Sequence, residues 1–114
     1  MKFAQLMTLL AALACDPATF VEGTVTDENG RPVVGALVTL TCAEGGPRSV
    51  EASADSTGHV HQFTIGCVDD QCKLDISAPG YGSVSKPALA VCRERKWMCG
   101  CIDVDANTVL TSKQ

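Results

Sequence analysis

From Cys72 to Ala78 the side chains alternate without a break, with Cys72, Leu74, Ile76 and Ala78 on one side and Lys73, Asp75 and Ser77 on the other. A period of two is the signature of an extended strand with one dry face and one wet face. The pattern recurs in short pieces along the chain. Phe20 to Asp27 sets Val21, Gly23 and Val25 against Glu22, Thr24 and Thr26, and in Val33 to Cys42 the residues Val34, Ala36, Val38, Leu40 and Cys42 share one face, which predicts a buried Cys42. Between these two runs lies Asn29-Gly30, a hairpin signal because both residues tolerate positive φ. Ser49 to Ala54 and Val60 to Ile65 read as further strands, separated by the turn residues Asp55 to Gly58. Segments around Tyr81 to Val84, Ala88 to Cys92 and Trp97 to Asp105 complete the set, and no stretch after the first fourteen residues carries a helical period. The expected fold is an all-β Greek-key sandwich of about seven strands.

A chain of 114 residues holds one such domain, and with aromatics at 4% its core is thin. Disulfides are the natural supplement, and seven cysteines are present. Residues 1–14, MKFAQLMTLLAALA, place one lysine before an apolar run that ends in small residues, the layout of a secretory signal and too short to span a membrane. Ala12-Leu13-Ala14-Cys15 resembles the bacterial lipobox, whose cysteine is acylated, although Ala12 and Leu13 stand in the reverse of the usual order. Setting Cys15 aside leaves Cys42, Cys67, Cys72, Cys92, Cys99 and Cys101, enough for three bridges in an oxidising compartment. A local Cys67–Cys72 bridge is one expectation. The reading is thus a signal peptide over 1–14, a tether over 15–18 and one domain over 19–114, held at the bacterial cell envelope by a lipid on Cys15.

Two stretches of the domain resemble the carboxypeptidase regulatory-like domain, a transthyretin-like or prealbumin-like β-sandwich. The first, GTVTDENGRPVVGALVTL, carries Gly23, Val25, Asp27, Gly30, Pro32, Val33, Gly35, Ala36 and Val38; the second, CKLDISAPGYGS, carries Leu74, Ile76, Ala78, Gly80 and Tyr81, with Asp55 and Gly58 fitting the turn before a strand. Cys72 stands where the family often has tyrosine, Gln62 where it prefers an apolar residue, and the cysteine-rich tail after Cys92 departs from it. The resemblance implies an accessory module without catalytic residues of its own.

Chemistry is sparse along the chain. The formal charge is −4, and without residues 1–14 there remain eight bases against thirteen acids, a balance that excludes nucleic acid as a partner. The one basic cluster, Arg93 to Lys96, is interrupted by Glu94 and reads as a solvated loop. His59 and His61 lie two apart on a predicted strand and make a weak two-imidazole metal candidate; Cys99-Gly100-Cys101 beside Met98 offers soft ligands for copper or zinc. Structural disulfides and an outward polar face account for both more simply, so no cofactor is expected. No Gly-x-Ser-x-Gly elbow, His-Glu-x-x-His pair or phosphate loop is present. The expected function is therefore binding of an envelope protein or glycan, with Trp97 and Tyr81 as candidate anchors. A spacer or structural subunit of an envelope complex is the alternative, and periplasmic metal binding a second.

Overall fold

The computed structural model describes residues 18–43, 49–66, 68–97 and 99–113. Nine strands and one short helical turn follow in order: β1 (Ala18–Asp27), β2 (Leu37–Cys42), β3 (Val50–Ser53), β4 (His59–Ile65), β5 (Cys72–Ser77), β6 (Val84–Pro87), the 3-10 turn Ala88–Val91, β7 (Cys92–Lys96), β8 (Gly100–Asp105) and β9 (Thr108–Leu110). They form two sheets. One runs β4-β1-β8-β7 with β9 also paired to β1, the other β3-β2-β5-β6. Residues 1–14, expected to be a signal sequence, and Cys15 and Cys67 lie outside the described residues.

The alternation read from the sequence becomes the inner faces of the two sheets. Val21 and Val25 of β1, Val38 and Leu40 of β2, Val60 of β4, Leu74 and Ile76 of β5, Val104 of β8 and Leu110 of β9 all lie in one buried cluster. This core is aliphatic. Of the four described aromatics only Tyr81 packs against it, while Phe20, Phe63 and Trp97 are exposed.

β1 and β2 do not make a hairpin with each other. The turn at Asn29-Gly30 forms, with Gly30 at φ 78° and the Asp27 carboxylate accepting from the Asn29 and Arg31 N–H groups. The chain then makes one bridge, Thr26 to Pro32, and crosses to the other sheet, so the predicted strand over Val33 to Cys42 begins only at Leu37. Gly35, at φ 79° with open space about it, supplies the bend. Val34, expected on the buried face, is consequently exposed, and Cys42, at the sheet's end, is half-buried.

The C-terminal third departs most from expectation. Arg93 to Lys96 is solvated but is not a loop: it belongs to the edge strand β7, whose pairing with β8 is accompanied by Arg93 reaching Asp105 at 2.9 Å, Asp103 at 3.5 Å and the Glu22 carbonyl at 2.9 Å. Ala88 to Val91 is the 3-10 turn instead of a strand, and Tyr81 makes only a single bridge, to Ser112, before β6 begins. β8 joins β1 in parallel, and at Ala106-Asn107 the pairing passes to β9. That handover fits only because residue 23 is glycine: a Cβ there would collide with the backbone of Ala106 and Asn107.

The bridges correct the local pairing expected of Cys72. Cys42 and Cys72 face each other directly in the β2/β5 register and are joined, while Cys92 bonds Cys101 across β7 and β8. Cys99 is disulfide-bonded as well. Closeness in sequence, the basis of the Cys67–Cys72 expectation, yields to closeness across strands.

Candidate functional site

The outward side of the five-stranded sheet gathers most of the chemistry the chain displays. Because Phe20 pairs with Phe63 and Glu22 with His61 across β1 and β4, these four side chains stand on one face in two rows. The parallel neighbour β8 continues the rows with Asp103 beside Phe20 and Asp105 beside Glu22. The rings of Phe20 and Phe63 lie 6.2 Å apart and tilted by 43°, and the His61 ring lies 6.1 Å from that of Phe20. Across the second row His61 Nε2 approaches Glu22 at 3.7 Å, and Arg93 bonds the Glu22 carbonyl and Asp105.

Ala18, Phe20, Glu22, His61, Arg93, Glu94, Ile102 and Asp103 line a shallow groove of about 280 Å³ on this face. Phe20 is 43% exposed and Phe63 55% exposed, in a molecule whose aliphatic core would gain from either ring. Two aromatic surfaces bordered by carboxylates and a guanidinium provide stacking area and directed hydrogen bonds together. Such a face suits recognition.

The sequence-derived candidates do not converge on one site. His59 and His61 do share the outward face of β4, opposite Thr24 and Glu22. Among the described residues no group of three or more His, Cys, Asp or Glu side chains could hold a metal ion. Cys99 and Cys101 are both in disulfides, so the thiolates that a soft metal would need are not available. Trp97 follows β7 and is 88% exposed at the end of the sandwich where β1 begins. Tyr81 is half-buried against the core at the opposite end, bridged to Ser112 beyond β9. Asp69 and Asp70 lie on the loop before β5, where Asp69 accepts from the Gln71 N–H at 2.9 Å.

Sequence reasoning missed the Phe20–Phe63 pair. The signal that could have found it was present: both residues occupy the polar side of their alternation, beside Glu22 and His61. An aromatic on the wet side of a thin-cored strand is the informative exception.

Elsewhere two exposed carboxylates brace turns, and each is held below the usual carboxylate range. Glu28 is lowered by the Ser112 hydroxyl and then the Ser112 N–H, both donating to it, at 2.8 and 3.0 Å. Asp55 is lowered by the Thr57 hydroxyl first, then by the N–H groups of Thr57 and His59.

The family model described as carboxypeptidase regulatory-like domain matches residues 21–95. No curated protein matches the chain. Among solved structures, 3-chlorocatechol 1,2-dioxygenase from Rhodococcus opacus 1CP is similar with a TM-score of 0.59 at 12% identity, over 85% of this chain and 61% of that one. Hydroxyquinol 1,2-dioxygenase from Pseudomonas putida DLL-E4 is similar at 0.58 and 15%, over 85% of this chain and 57% of that one. Catechol 1,2-dioxygenase from Acinetobacter radioresistens gives 0.55 and 17%, over 87% and 53%. The chain spans little more than half the length of these enzymes, and at such identity the likeness is one of fold alone.

Proposed function

The chain belongs to the carboxypeptidase regulatory-like domain family, and from that premise we propose that it is a non-catalytic, lipid-anchored recognition module of the bacterial cell envelope. The observation that carries this reading is the outward placement of Phe20 and Phe63 beside His61, Glu22 and Asp103 on one open sheet face. A domain short of aromatics that leaves its best core-forming rings in water has a use for them there. The partner is an envelope protein or glycan, which would lie across the groove with an apolar surface on the two rings and polar groups toward Glu22, Asp103 and Arg93.

Bridges Cys42–Cys72 and Cys92–Cys101 support a location outside the reducing cytoplasm. Among the described residues no helix is long and apolar enough to cross a membrane. Acylation of Cys15, which follows the apolar leader directly, supplies attachment in this reading.

The test compares the mature protein with its Phe20→Ser/Phe63→Ser variant in chemical cross-linking to isolated envelopes, with captured protein and glycan analysed separately. Both substituted side chains are exposed, so the fold should survive, and a thermal melt checks this. Loss of a defined captured species in the variant supports recognition through this face. Equal capture by both proteins removes the face from the account, and the absence of any captured species from either protein leaves a spacer.

A further inference from the structure

One end of the sandwich combines three features that the recognition face does not use. β8 runs parallel to β1 and Lys96 pairs with Gly100, so the turn between β7 and β8 lies at the end where β1 starts at Ala18. That turn presents Trp97, the chain's single tryptophan, 88% exposed, next to the exposed Arg95 and Lys96. Only Asp16 and Pro17 separate Ala18 from Cys15. Even fully extended, that length of chain reaches about 10 Å.

We propose that this end docks on the phospholipid headgroup region of the bilayer, with the Trp97 indole inserted at the interface and Arg95 and Lys96 against lipid phosphates. The inference rests on the lipid-anchored reading above. An indole is amphipathic and favours the interface over either water or hydrocarbon, and basic side chains beside it extend to the headgroups. A single indole binds weakly, but a tether this short makes its contact intramolecular at high effective concentration. Asp69 and Asp70 on the loop packed beside Gly100 offset the two bases, so insertion depends on the indole and the tether more than on net charge. Docking therefore extends to zwitterionic lipid. The module stands on its Ala18 end, with the sheet face directed sideways along the membrane surface.

The chain's single tryptophan makes the test direct. Protein purified from its membrane fraction is checked by intact mass for acyl chains on Cys15, then reconstituted in phosphatidylcholine vesicles with and without chain-brominated lipid. With Cys15 acylated, the expected result is tryptophan emission shifted to the blue of free indole in water and quenched by bromine. An acylated, vesicle-bound protein with unshifted, unquenched emission overturns the docking while leaving the anchor intact. An unacylated mass overturns the anchor and this inference with it.

Discussion

Gly23 is where the two C-terminal pairings of β1 are reconciled, and the demand on it is steric rather than conformational. The Glu22 carbonyl accepts from Ala106 N–H at 2.9 Å and the Asn107 side chain accepts from Thr24 N–H at 2.7 Å, which draws the β8–β9 joint onto the glycine Cα. Gly23→Ala must push that joint away, and overpacking of this kind costs about 1–3 kcal/mol. Urea unfolding should show it, and an unchanged midpoint would contradict the close approach. Glu28 invites a test against pH. Its folded-state pKa is lowered by Ser112, so its stabilisation is fully present above the ordinary carboxylate range and is lost as pH falls through the lower folded value. Wild type should be the more stable near neutrality and converge with Glu28→Gln in strong acid; a gap that persisted there would show that Ser112 does not hold the carboxylate.

At the scale of elements, β1 and β5 were legible because each has one dry and one wet face, whereas β7 was not, because an edge strand of sequence CRERK is solvated on nearly every residue. β9 is three residues long and too short for a period to show. Turns at Gly30, Gly58 and Gly80 were readable locally, but which sheet each strand joins depends on contacts far apart in sequence, and the crossing after Pro32 had no local signal. The same distinction governs the cysteines. Cys42–Cys72 closes 30 residues and Cys92–Cys101 closes 9, so chain entropy alone gives ~3.6 and ~2.6 kcal/mol respectively. Replacing each pair in turn by alanine should therefore lower the denaturant midpoint in both proteins, further for Cys42 and Cys72. The reverse order would show that native packing around the buried Cys101 outweighs loop closure.

The described residues form an aliphatic sandwich with its aromatics distributed by role: Tyr81 against the core, Phe20 and Phe63 on one sheet face, Trp97 at the end where β1 begins. The fold class followed from alternation and turn residues, but the site did not, since Phe20 and Phe63 are far apart in sequence and meet only through the β1/β4 register. The most direct test of recognition through that face is a photoreactive side chain at position 63, compared with one at the exposed position 73 on β5, in the other sheet. Irradiated in intact cells, the protein should yield a defined adduct with one envelope protein or glycan from position 63 and none from position 73. The same adduct from both positions, or none from position 63, would contradict recognition through the Phe20–Phe63 face.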